Sequence, residues 1–124
     1  MRVYLAAPFS QRAHMECVAD YLKAQGIEVT ARWVYGGEEG LNLQQIAILD
    51  LEDVDAADTV VSFIQPRGTY TTGGGRHVEF GYALAKGKKL VTIGAEWENI
   101  FHHHPSVKNY PSIREWLSNE PDWA

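Results

Sequence analysis

Thr59-Val60-Val61-Ser62-Phe63-Ile64 is followed, after eight intervening residues, by Gly73-Gly74-Gly75-Arg76-His77-Val78-Glu79-Phe80-Gly81-Tyr82-Ala83. The first run is apolar and β-branched, which reads as a buried strand. The second opens on three glycines and continues through Leu84-Ala85-Lys86-Gly87, which reads as a helix. The order is therefore strand, glycine-rich loop, helix. Such a loop presents bare backbone N–H groups at a helix N-terminus and suits an anion or a nucleotide. Glu79 complicates that picture, because a carboxylate in the first helical turn repels a bound phosphate. It points instead to a reactive group aimed into a nucleotide-sized pocket. The plainer alternative is a carboxylate that only complements the helix dipole, worth about 0.3–1 kcal/mol.

Outward from this unit the chain keeps the same alternation. Arg2–Ala6 is a short apolar run halted by Pro8 and reads as a buried strand. Residues 11–25 form a helix with Cys17, Val18, Tyr21 and Leu22 on one face and Gly26 at its end. Ile27–Trp33 reads as a second strand, and Val34–Gly40 as a loop rich in glycine and glutamate. A helix from about Leu43 to Asp55 carries a stripe of Leu43, Ile46, Ala47 and Val54, interrupted by Asp50. Thr59–Ile64 is the third strand, Arg76–Lys86 the third helix and Leu90–Ile93 the fourth strand. After an irregular loop over 95–106, Val107–Tyr110 makes a short fifth strand. Ser112–Ser118 is a last helix with Ser112 as its cap. This order implies an α/β fold, a mostly parallel five-stranded sheet with helices on both faces. Ligands of such sheets bind at the carboxyl ends of the strands, near the reversal of strand order. The loops Ala7–Arg12 and Gln65–Gly75 are the expected walls of the site.

Length and composition bound the function. A chain of 124 residues is expected to be one domain, residues 1–124. The net charge of −5 argues against a nucleic-acid binder. Cys17 is the lone cysteine, so no disulfide forms within the chain, and a reducing compartment fits. The apolar part of the N-terminus is too short for a signal peptide or a membrane span, so a cytoplasmic location is expected.

Two further residues join Glu79. An unpaired buried carboxylate is costly, so Asp50 either pairs structurally or faces a pocket. If its helix sets it beside Glu79, two carboxylates share one cleft, the usual equipment for cleaving a glycosidic bond. Tyr4, in the first strand, is a core residue unless its hydroxyl reaches Glu79 from the neighbouring strand.

Tyr4-Leu5-Ala6-Ala7, Asp50-Leu51 with Val54 and Asp58, and above all Glu79-Phe80-Gly81-Tyr82-Ala83-Leu84-Ala85-Lys86-Gly87-Lys88 resemble the nucleoside 2-deoxyribosyltransferase family. That family includes the related 2′-deoxynucleoside 5′-phosphate N-hydrolases. The resemblance covers roughly residues 2–94. It implies a single doubly wound, flavodoxin-like (Rossmann-like) domain and a homodimer or larger homo-oligomer whose sites are shared between subunits. It implies no cofactor and no metal, and a nucleoside or nucleotide as substrate.

Carried over residue by residue, Glu79 is the nucleophile that attacks C1′, Tyr4 orients it, and Asp50 lines the site near base and sugar. The transferases carry an aspartate six residues before the nucleophile that helps to protonate the base, and the hydrolases often a serine that binds the 5′-phosphate. Here that position is Gly73. Thr71, Thr72, Arg76, Ser10 and Arg12 are the candidate replacements as phosphate or base ligands. Ala7, Pro8, Phe9, Gly73 and Gly75 complete the expected substrate contacts. Transfer of the sugar to a second base, hydrolysis of a 5′-monophosphate, and a catalytically silent nucleotide sensor are the three readings. His102-His103-His104 is not a metal motif, because consecutive histidines point in different directions and no second ligand cluster accompanies them.

Overall fold

A computed structural model describes residues 1–69 and 73–120. Thr71 and Thr72, named above as candidate ligands, lie outside the described residues.

Among the described residues, five strands and four helices follow one another: β1 (Arg2–Ala6), α1 (Arg12–Ala24), β2 (Glu28–Val29), α2 (Leu43–Ala56), β3 (Thr59–Phe63), α3 (Gly75–Ala85), β4 (Lys89–Ile93), β5 (Val107–Tyr110) and α4 (Ile113–Asn119). The sheet order is β2-β1-β3-β4-β5, and every pairing is parallel. The expected fold class therefore holds, with the sheet wholly rather than mostly parallel. Strand order reverses between β1 and β3, where Tyr4 pairs in register with Val60. A parallel sheet covered on both faces needs near-continuous apolar strands. β3 meets that need and is buried along its whole length. Helices α2 and α3 pack on each other against β1 and β3. α1 and α4 share a groove that reaches Phe63 and Ile93.

Local signals set the helix ends. α1 stops in a Schellman motif: Ile27 N–H donates to Leu22 C=O and Gly26 N–H to Lys23 C=O, with Gly26 at φ 84°. α3 ends the same way at Gly87. Asn42 and Gln45 form a reciprocal capping box at the start of α2. Ser112 caps α4 as expected, accepting from Glu115 N–H at 3.2 Å.

Two expectations change. The buried face of α1 is Met15, Ala19 and Leu22, one helical turn apart, while Cys17 and Tyr21 are exposed. The expected strand Ile27–Trp33 is only Glu28–Val29, followed by a 3-10 turn over Arg32–Tyr35. The reason is a tertiary tie that no local propensity reveals. Asp53 of α2, 4% exposed, accepts from Arg32 backbone N–H at 2.9 Å and from its guanidinium at 2.8 Å. Thr30 Oγ1 donates to Asp53 C=O at 2.8 Å. These bonds bend the chain over the sheet edge and seat Trp33, whose Nε1 donates to Leu5 C=O at 3.0 Å.

Candidate active site

The bend at Arg32, the loop after β1 and the glycine loop before α3 enclose a cavity of about 430 Å³ at the carboxyl ends of β1 and β3. This is where a sheet of this order binds ligands. Ala7, Pro8 and Phe9 form one wall, Gly73–Gly75 another, and Leu43, Ile46 and Asp50 of α2 a third. Trp33 lies against Phe9 with ring centroids 6.3 Å apart. Gly74, at φ 80°, is the residue before α3 and needs a glycine's conformational freedom. A Cβ at Gly73, Gly74 or Gly75 would meet nothing within 4 Å, so a ligand can approach this backbone closely.

Glu79 faces this cavity, and Tyr4 Oη donates to its Oε2 at 2.6 Å. Tyr4 sits on β1 and Glu79 on α3, so the fold brings together residues 75 apart in sequence. Burial raises the Glu79 carboxyl from 4.5 to about 7. The Tyr4 hydrogen bond lowers it and the Asp50 charge raises it further. Burial, together with Glu79 and Asp50, pushes the Tyr4 phenol well above its ordinary value, so it stays a donor. A buried carboxyl that is raised in this way, held by one donor and open to a cavity, marks a candidate functional group.

Tyr4→Phe is expected to move the acid limb of the rate profile to higher pH, because the lost hydrogen bond favoured the ionised form. A hydrogen bond to a charged group contributes about 1.5–3 kcal/mol, so turnover at pH 7 falls roughly tenfold or more. An unshifted profile would contradict this role.

Asp50 also lines the cavity. Burial and the nearby Glu38 carboxyl raise its carboxyl to about 8. Glu38 lies on the loop before α2 and was not readable as a site residue. Gly37 lets that loop pass close to the 3-10 turn, since a Cβ there would stand 2.8 Å from Arg32 C=O.

Of the remaining candidates, Ala7, Pro8, Phe9, Gly73, Gly75 and Arg76 border the cavity. Arg76, however, is 6% exposed and gives both guanidinium Nη atoms to Glu98, each at 2.5 Å. A phosphate would have to displace Glu98 to be held by this fork. Ser10 is exposed and outside the cavity lining. Arg12 lies in an adjoining lobe and donates to Val34 C=O at 3.2 Å. Glu98, a second residue the sequence did not single out, also accepts from Gln65 N–H at 2.9 Å. Burial alone would raise its carboxyl, but the bonds from Arg76 and Gln65 outweigh that and hold it below its ordinary value.

The three histidines diverge. His102 packs edge-on to Phe80, His103 on Trp97, and His104 Nδ1 lies 2.7 Å from Ser106 Oγ. Among the described residues no group of three or more His, Cys, Asp or Glu side chains is placed to hold a metal ion. Among them, too, no helix is long and apolar enough to cross a membrane.

The model of the nucleoside 2-deoxyribosyltransferase family matches residues 3–111. The chain belongs to that family. Its members act on the N-glycosidic bonds of nucleosides and nucleotides, and this chain is such an enzyme. Three solved structures share the fold. CMP N-glycosidase BcmB of Clostridium botulinum is 25% identical, over 95% of this chain and 96% of that one, with a TM-score of 0.68. The 2-deoxyribosyltransferase of Bacillus psychrosaccharolyticus is 20% identical, over 97% and 92%, with a TM-score of 0.74. That of Leishmania mexicana is 18% identical, over 83% and 70%, with a TM-score of 0.63. No curated protein sequence matches the chain.

Proposed function

We propose that this deoxyribosyltransferase-family enzyme cleaves the N-glycosidic bond of a nucleoside or nucleotide through a covalent glycosyl ester on Glu79. The observation that carries the reading is the 2.6 Å bond from Tyr4 Oη to Glu79 inside a cavity that Asp50 also lines. Breaking the bond builds positive charge on the sugar ring. The ionised Glu79 carboxylate stabilises that charge and then forms the C1′–O bond, while Tyr4 fixes which oxygen attacks. Phe9, Trp33 and Ile46 offer apolar faces to the base, and the open backbone of Gly73–Gly75 takes the sugar and its 5′ end. A second base or water then releases the sugar.

Hydrolysis of a nucleoside 5′-monophosphate is the second reading. Its support is the end-to-end likeness to a CMP N-glycosidase at 25% identity. A silent sensor fits less well, because a ligand-binding module has no use for a buried, raised carboxyl that costs stability. Residues 1–124 act as one domain in the cytoplasm, without cofactor, metal or nucleic acid. Exposed Ile48, Val78, Ile100 and Phe101 favour a homo-oligomer with shared sites.

The test is incubation with nucleosides and their 5′-monophosphates, with and without an acceptor base, followed by chromatography. New nucleoside only with acceptor present establishes transfer. Free base from monophosphates alone establishes hydrolysis. Binding without any turnover overturns both and leaves the sensor.

A further inference from the structure

We propose that the Gln11–Gln65 amide pair positions one wall of the cavity: it holds the Phe9 turn in place opposite Trp33, so that the slot for the base is formed before the substrate arrives. This rests on the reading of the cavity as the place where the N-glycosidic bond is cleaved, with Phe9 and Trp33 beside the base.

Phe9 needs such a hold. It belongs to a 3-10 turn, Phe9–Gln11, that buries none of its residues, and it is itself 68% exposed. Burial therefore does not fix the ring. The turn is closed by the bond from Gln11 N–H to Pro8 C=O at 2.9 Å. Trp33, across the slot, is anchored separately through its bond to Leu5 C=O. The Gln11 side chain supplies an anchor for the other side. Its Nε2 donates to Gln65 Oε1 at 2.6 Å, and Gln65 Nε2 donates back to Gln11 Oε1 at 3.4 Å. The pair joins residues 54 apart in sequence.

Gln65 is the fixed half of the pair. It is 5% exposed and lies at the exit of β3. Its Nε2 also donates to Phe63 C=O at 3.1 Å. A carbonyl can only accept, so this bond decides which end of the amide faces Gln11. Its backbone N–H donates to Glu98 at 2.9 Å, and Glu98 also grips Arg76 in the first turn of α3. The amide pair thus ties the Phe9 turn to the part of the fold that carries Glu79. A slot set in advance spares the substrate the cost of ordering the turn on binding, so losing the pair weakens affinity. The Tyr4–Glu79 bond and the Glu98 bond to the Gln65 backbone pass through neither amide, so both survive its removal.

The experiment compares wild type, Gln11→Met, Gln65→Met and the double variant. The substrate is whichever nucleoside or 5′-monophosphate of adenine, guanine, cytosine, uracil or thymine wild type cleaves fastest. Gln11 is half-buried, so Gln11→Met serves alone if Gln65→Met does not fold. KM is expected to rise roughly tenfold in each single variant, the scale of one net hydrogen bond, with kcat within about threefold of wild type. The acid limb of the rate profile should stay in place, unlike that of Tyr4→Phe. The double variant should be little worse than the worse single one, because both substitutions break the same pair. In the free protein, Gln65→Met should speed hydrogen exchange at the Gln11 N–H, while Gln11→Met leaves the Gln65 N–H protected by Glu98. An unchanged KM, a loss carried by kcat alone, or losses that multiply in the double variant overturn the proposal. If wild type binds these compounds but cleaves none, the reading of the site as catalytic fails. The positioning role is then decided by Kd from calorimetry: weaker binding by Gln11→Met upholds it, and equal binding overturns it. Neither binding nor cleavage by wild type overturns both.

Discussion

Glu79→Gln lowers turnover by on the order of 10⁴-fold, the scale expected when a covalent nucleophile is removed. Glutamine keeps the volume, and its amide oxygen can still accept from Tyr4, so substrate affinity should change little. The loss then falls on kcat rather than KM. Denaturing wild type during turnover and weighing it should reveal a sugar adduct on the peptide containing Glu79, absent from the variant. Full turnover by Glu79→Gln would remove Glu79 from the chemistry.

The same substitution carries a stability signature of opposite sign. The folded carboxyl titrates at about 7 against an ordinary value of 4.5. A raised acid binds more protons in the folded than in the unfolded state between those values, so its contribution to stability falls as pH rises through that window. Above pH 7 the native carboxylate costs on the order of 3 kcal/mol relative to a group without the shift. Glu79→Gln is therefore expected to melt higher than wild type at pH 8, with the gain shrinking towards pH 4. A dead enzyme more stable than the live one is the mark of a site where function opposes stability.

Much of this was legible in the sequence, and the reasons for the rest are physical. Runs such as Thr59–Ile64 and the glycine loop before α3 declare their structure locally, so element order and sheet class follow from pattern. Glu79, Asp50 and Tyr4 were readable because their residue types contradict their local setting or match a family string. The end of β2 was not readable, because Asp53 bends the chain there through bonds to Arg32 more than twenty positions away. Glu38 and Glu98 were hidden for a similar reason. Both lie on loops where a glutamate is ordinarily solvated, and their partners arrive only when the chain closes. The role of Arg76 changed with Glu98. Without it, a fork beside a glycine loop reads as a phosphate ligand; with it, the fork is an internal strut.

That strut supports the second large effect. Glu98→Gln is expected to destabilise the protein by about 3–5 kcal/mol, the range for removing one partner of a buried ion pair. The Arg76 side chain is 4% exposed and that of Glu98 17%, so the guanidinium loses its charged partner in a largely buried setting. Glu98 accepts from both Nη atoms of Arg76 and from the backbone N–H of Gln65. It thereby joins the loop after β4 to the exit of β3 and the first turn of α3. Against a total stability of about 5–15 kcal/mol, such a loss lowers Tm by well over 10 °C. The pH dependence has a fixed sign. The folded Glu98 carboxyl lies below its ordinary 4.5, so its contribution is present above that pH and is lost as pH falls further. The Tm gap between wild type and variant should therefore narrow below pH 4. Pairing Glu98→Leu with Arg76→Met should recover much of the loss, because it leaves no buried charge. A melting scan in which Glu98→Gln matches wild type at pH 7 would show that the pair holds nothing. Arg76 and Glu79 share the first turns of α3, so a variant that loosens this strut should also lose activity. The double apolar variant, which restores packing, should regain more of that activity than the single one.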